Sequence, residues 1–121
     1  MYQILNDLLR DKLNFKGLIV SDCMQMKAID DQYTTERGTL MGIKAGLDMA
    51  CISHDLEKQV GALRLIESAV LKGEISEDLI DEKVERIISY KEKTKAKMMN
   101  DFVALENNEI ITYFDMLNNQ Y

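Results

Sequence analysis

The stretch Phe15-Lys16-Gly17-Leu18-Ile19-Val20-Ser21-Asp22 decides how this chain reads. Gly17 opens a short apolar run, Leu18 to Val20, and Ser21-Asp22 stop it abruptly. Strands of a parallel α/β sheet are covered on both faces, so they appear as continuous apolar runs rather than alternating ones. The pattern predicts such a strand over residues 16–21. Ligands gather at the carboxyl edge of parallel sheets, which sets Asp22 beside a cleft, available as nucleophile or base. A carboxylate at a strand end also caps the turn that follows, so position alone leaves both roles open.

Upstream, Ile4, Leu5, Leu8, Leu9 and Leu13 recur at helical spacing, and residues 2–13 are expected to form an amphipathic helix. Downstream, residues 24–31 are a loop or short helix. Thr35 is the expected N-cap of a helix running to Ala45, and Gly46 suits the left-handed position that ends many helices. Asp48 to Ser53 forms the second expected strand. Asp55 caps a third helix with Leu56, Val60, Leu63, Ile66 and Val70 as its apolar face, terminated at Gly73. Ser76 caps a fourth, with Glu77 and Asp78 in its first turn and Leu79, Ile80, Val84, Ile87 and Ile88 as the buried stripe.

The order helix–strand–helix–strand–helix–helix makes the fold class α/β, with two β/α units and flanking helices. Residues 98–121 are an unassigned helical or irregular tail. Two parallel strands alone leave both sheet edges unpaired, an association hazard. A homo-oligomer or a complementing chain is therefore expected.

A length of 121 residues suits one domain with a modest core. The hydrophobic fraction of 46% and charged fraction of 30% are those of an ordinary globular chain. A net charge of −6 argues against a general nucleic-acid partner, which would want a basic face. Lys91, Lys93, Lys95 and Lys97 form a basic run, read as cations near the end of the fourth helix, where they meet its dipole favourably. No apolar stretch approaches the ~20 residues of a membrane span, and no charged-then-apolar leader opens the sequence. Two cysteines are too few for a disulfide scaffold. A cytoplasmic location is the expectation.

Phe15-Lys16-Gly17, Ser21-Asp22 and Met24-Gln25-Met26-Lys27-Ala28-Ile29 together resemble the nucleophile segment of family 3 glycoside hydrolases. The bacterial β-N-acetylhexosaminidase subgroup is the most similar. Ile43-Lys44-Ala45-Gly46-Leu47-Asp48-Met49, Ile52-Ser53-His54, Gly73-Glu74-Ile75-Ser76 and Val84-Glu85-Arg86-Ile87-Ile88 continue the likeness in order, from about Ile4 to Lys93. The family carries a (β/α)8 TIM-type barrel, which needs about 250 residues. The resemblance thus implies that residues 1–97 are the C-terminal part of such a barrel, roughly its last quarter. It also implies a His–Asp general acid/base and a loop gripping the N-acetylglucosamine ring, both upstream of the nucleophile. Only 21 residues precede Asp22, so the chain alone is expected to be inactive.

The implied function of the parent enzyme is hydrolysis, with retention, of terminal β-linked N-acetylhexosamine, without a cofactor. Asp22 is the implied catalytic nucleophile, attacking the anomeric carbon to form a glycosyl-enzyme that water then cleaves. Met26 is expected to face the sugar, and His54, at the end of the second strand, to line the pocket on the same edge as Asp22. Cys23 stands where the β-glucosidase subgroup usually has Trp, which favours the hexosaminidase subgroup over β-glucosidase or xylosidase. Cys51-Ile52-Ser53-His54 is a lone C-x-x-H pair without recognised metal-ligand spacing, so no metal site is expected. Asp48, at the start of the second strand, lies at the opposite end from catalysis and reads as structural. The competing reading is a non-catalytic remnant or interaction module that oligomerises through its exposed sheet edges.

Overall fold

The computed structural model describes residues 2–104, with side chains to residue 98. A helix of i→i+5 character spans Gln3–Lys12, followed by strand β1 (Val20–Cys23), helices α1 (Lys27–Tyr33) and α2 (Thr35–Ala45), strand β2 (Met49–Cys51), and helices α3 (Leu56–Leu71) and α4 (Glu77–Ala104). The two strands pair in parallel, and α1 with α2 supplies the crossover that parallel pairing requires. The α/β class holds, with helix dominating the described residues. The chain divides into two compact units at Ile87/Ile88. The first holds both strands and the core; the described part of the second is the distal length of α4.

The N-terminal helix is wider than the α-helix expected over residues 2–13: Leu13 N–H donates to the Leu8 carbonyl at 2.9 Å. Its half-buried side chains are Leu5, Asn6, Leu9 and Arg10. Asn6 Nδ2 donates to the Ala45 carbonyl at 2.8 Å, and Arg10 reaches the carbonyls of Phe15 (3.1 Å) and Gly17 (2.9 Å). Those two bonds explain why β1 begins at Val20 and not at residue 16. The guanidinium takes the Gly17 carbonyl inside the expected strand and the Phe15 carbonyl just before it, and Ile19 N–H goes to Asp48 Oδ2 at 2.8 Å. Strand β2 is likewise shorter than the expected 48–53. It stops at Cys51 because Gln59 Nε2 takes the Ile52 carbonyl (2.8 Å) and Gln25 takes the next two N–H groups.

Asp48 is the charged centre of this unit. Its side chain is 0% exposed, and it accepts from Arg10 Nη2 at 2.6 Å and from Arg86 Nη1 of α4. A carboxylate so buried is tolerated because both oxygens are paired. Lys83, one turn before Arg86, is also buried and donates to the Leu47 carbonyl at 2.8 Å. Burial holds its ammonium below the usual lysine range. Asp48 is therefore structural, as its place at the start of the strand suggested.

Around it sit Ile19, Ile43, Leu47, Ala69 and Ile75, with Leu5, Leu9, Leu40, Ile66, Val70, Leu79 and Ile80 packed against them. The buried stripes differ from those expected. On α3 the deeply buried residues are Ala62 and Ala69, while Leu56 and Leu63 are 71% and 68% exposed. On α4, Val84 and Ile88 are exposed and Lys83 is inside. Apolar spacing identifies a face, but not which half of it meets the core. The basic run Lys91 to Lys97 lies exposed within α4, which continues to Ala104, rather than at a helix end.

Thr34, not Thr35, is the N-cap of α2, with its Oγ1 accepting from Arg37 N–H. It adopts φ 62°, rare for a β-branched residue. The cause is Asp30, whose Oδ1 accepts from both Thr35 N–H (2.9 Å) and Thr35 Oγ1 (2.7 Å), folding the chain sharply between α1 and α2. Lys58 of α3 closes the other oxygen at 2.7 Å. Asp55 caps α3 through the N–H groups of Glu57 and Lys58, and Ser76 Oγ accepts from Leu79 N–H at 3.2 Å. Gly46 ends α2 at φ 122°, a conformation closed to other residues at low cost. Gly42 lets Leu47 pack against α2: a Cβ there would stand 2.6 Å from Leu47 Cδ1.

Candidate functional site

The carboxyl end of β1 is irregular, and the irregularity exposes Asp22. Val20 pairs with Met49 and Cys23 with Cys51, so three steps along β1 match two along β2. The extra residue is a bulge, a device that re-aims a side chain and that concentrates beside active sites. Ser21 Oγ accepts the Cys51 N–H at 3.0 Å, and Met24 N–H resumes the ladder on the Cys51 carbonyl at 2.8 Å. Between them Asp22 is exposed, with Oδ1 accepting from Cys23 N–H at 2.7 Å and, among the described residues, no partner on its second oxygen.

Gln25 fastens the loop after β2 to this edge. Its Oε1 accepts from Ser53 N–H (3.0 Å) and His54 N–H (2.8 Å). Cys23 Sγ lies 2.8 Å from Ser53 Oγ. That hydrogen bond, with a second from the Gln25 backbone, makes the Cys23 thiol more acidic than usual; desolvation and the Asp22 charge oppose it.

Beside Asp22 opens a groove of about 760 Å³, lined among others by Val20, Met26, Ile29, Tyr33 and Met41. Asp22 and Met26 thus border one cavity. His54 is not among its lining residues; it lies exposed in the loop that Gln25 holds. The geometry joins Asp22, Cys23, Gln25 and Ser53 directly and brings His54 to the same edge through its backbone. Ser21, Gln25 and Ser53 were not singled out by sequence reasoning. Ser21 and Gln25 adjoin Asp22, but nothing in their spacing signals that their side chains bind the neighbouring strand. Among the described residues, no three His, Cys, Asp or Glu side chains cluster closely enough to hold a metal ion.

An exposed carboxylate on a bulge at the carboxyl edge of parallel strands, beside an apolar groove, is an arrangement suited to attack on an electrophilic carbon. Residues 2–90 match the Glycosyl hydrolase family 3 N terminal domain.

The chain belongs to glycosyl hydrolase family 3.

Among its relatives, the β-N-acetylglucosaminidase/β-glucosidase of Cellulomonas fimi is 35% identical over 89 residues, 74% of this chain and 15% of that protein. The solved family 3 β-N-acetylglucosaminidase of Paenibacillus sp. str. FPU-7 superposes with a TM-score of 0.73 at 36% identity, over 75% of this chain and 17% of that one. A fungal multi-domain family 3 β-N-acetylglucosaminidase superposes with a TM-score of 0.72 at 37% identity, over 75% of this chain and 11% of that one. The chain thus spans less than a fifth of the length of each. Asp22, Met26 and His54 all fall within the segment matched to family 3.

Proposed function

We propose that this chain is the nucleophile-bearing part of a retaining β-N-acetylhexosaminidase, the last two β/α units of a (β/α)8 barrel, with Asp22 as nucleophile. The observation that carries the reading is the bulge at Ser21-Asp22, which leaves Asp22 exposed at the strand edge with, among the described residues, one carboxylate oxygen unpartnered. The β-N-acetylglucosaminidase names of its relatives support the substrate class.

In this reading Asp22 attacks the anomeric carbon as the leaving oxygen is protonated, and the glycosyl ester is then cleaved by water. Retention requires the proton donor roughly 5 Å from Asp22. In this reading the donor comes from another stretch of the barrel. Met26 borders the sugar subsite, and His54 its rim. Among the described residues the two-stranded sheet has two open edges, which in this reading a complementing barrel segment, or a second copy, covers.

The test is nitrophenol release from aryl glycosides with and without the N-acetyl group. The chain is assayed alone and mixed with the upstream barrel portion of a relative. Turnover of the N-acetyl substrate only in the mixture, abolished by Asp22→Asn, is expected. Turnover unaffected by Asp22→Asn contradicts the reading, and preference for the plain glucoside or xyloside moves it to another subgroup.

A further inference from the structure

Cys23 and Cys51 are partners across the parallel ladder. Adjacent strands lie about 4.8 Å apart, within the roughly 4.4–6.8 Å that a disulfide bridges between Cα atoms. Facing partners in a ladder project to one side of the sheet. Ala50 and Ile52 line a second cavity with Thr39 and Ile43 of α2 and Ala62 and Ile66 of α3. Cys51, next to Ala50 in β2, faces away from the helices. Cys23, its ladder partner, projects to that same open side, where its Sγ lies 2.8 Å from Ser53 Oγ. Both thiols are free, Cys51 exposed and Cys23 half-buried.

We propose that Cys23 and Cys51 are a cross-strand dithiol that reacts with small-molecule disulfides and closes into an internal disulfide beside Asp22. The Cys23 thiolate attacks one sulfur of the reagent RSSR, forming Cys23–S–SR and expelling RS⁻. Cys51 gives its proton to solvent and attacks the Cys23 sulfur, forming the protein disulfide and expelling the second RS⁻. Two protein thiols are oxidised, one RSSR is reduced, and the two protons lost end on two RSH. Cys23 is the attacking thiol because the Ser53 hydroxyl stabilises its thiolate.

The closed loop contains all of α1 and α2. Oxidation therefore ties the crossover into a ring and fixes the strand register on which the bulge at Asp22 depends. This inference does not rest on the hydrolase reading, and its test involves no glycoside.

The full chain is incubated with oxidised glutathione, its remaining thiols are alkylated, and intact mass and peptide maps are read without reductant. The expected product is a monomer lighter by two hydrogen atoms, unalkylated, with the Cys23 and Cys51 peptides joined, a raised Tm and reversal by dithiothreitol. Cys51→Ser is expected to stop at one glutathione on Cys23, and Cys23→Ser to react more slowly. Two glutathiones on the wild-type chain, two alkylated thiols or disulfide-linked dimers alone would overturn the proposal.

Discussion

Arg86 of α4 and Asp48 at the start of β2 form an ion pair between residues 38 apart in sequence. The pair ties α4 to the start of β2, the strand paired with the β1 that carries Asp22. Asp48 is wholly buried and Arg86 only 22% exposed, so removal of the arginine leaves a desolvated carboxylate with Arg10 as its remaining cationic partner. Loss of one partner of a buried pair costs about 3–5 kcal/mol when the remaining charge is left unpaired. Arg10 and the Ile19 N–H stay on Asp48, so a smaller loss of about 1–3 kcal/mol is expected. Arg86→Ala is expected to lower the urea midpoint accordingly, with the denaturant slope unchanged.

Two leucines of opposite burial give a paired expectation. Leu47 is buried in the core and Leu63 is exposed. Leu47→Ala should cost about 2–5 kcal/mol, and Leu63→Ala less than about 0.5 kcal/mol. Thermal or urea unfolding of the two variants decides. Equal losses would mean that Leu63 is covered in solution, as a complementing chain or a second copy would make it.

Asp30 and Lys58 set a pH window. The Lys58 ammonium, helped by Thr35, holds the Asp30 carboxyl below its ordinary 3.8; Asp30 holds Lys58 above its ordinary 10.5. Folded Asp30 binds its proton less readily than unfolded Asp30. Its contribution is thus present above the ordinary carboxyl range and disappears as pH falls through the lower folded value. Lys58 contributes below its ordinary range and ceases to as pH rises through the raised value. Lys58→Met is expected to flatten both limbs of the stability–pH curve. Unchanged limbs would show that the pair does not persist in solution.

The acidity of Cys23 is separately measurable. In a Cys51→Ser background, iodoacetamide should alkylate Cys23 with a pH midpoint below that of an ordinary thiol, because Ser53 favours the thiolate. Adding Ser53→Ala should move the midpoint upward. An unmoved midpoint would assign the acidity elsewhere, with the Gln25 backbone the next contributor.

What the sequence made legible was local. The apolar run ending at Ser21-Asp22 signalled a strand, which starts at Val20 rather than at residue 16 and runs through Asp22 to Cys23. Asp55, Ser76 and Gly46 marked helix ends because capping is a matter of one side chain or one φ angle. What escaped was long-range and polar. Arg10 draws the chain ahead of β1 out of the sheet through bonds to the Phe15 and Gly17 carbonyls, and no hydrophobic pattern carries that information. The bulge depends on Ser21 reaching Cys51, and the loop after β2 on Gln25 reaching Ser53 and His54. Each is a side chain bonding a backbone group 28 to 30 residues away. The Thr34 cap was missed by one residue because Asp30, an i−5 partner of Thr35, sets where the turn closes.

Labelling of the glycosyl-enzyme tests the proposed role of Asp22 as the nucleophile of a retaining glycosidase. The most direct measurement substitutes residues 2–90 into the matching segment of the Paenibacillus enzyme and treats the chimera with a fluorinated, activated N-acetylglucosaminide that slows hydrolysis of the glycosyl-enzyme. Peptide mass mapping should find one sugar esterified to Asp22, and none in the Asp22→Asn chimera. A sugar attached to any other residue, or substrate turnover that persists in the Asp22→Asn chimera, would contradict the account.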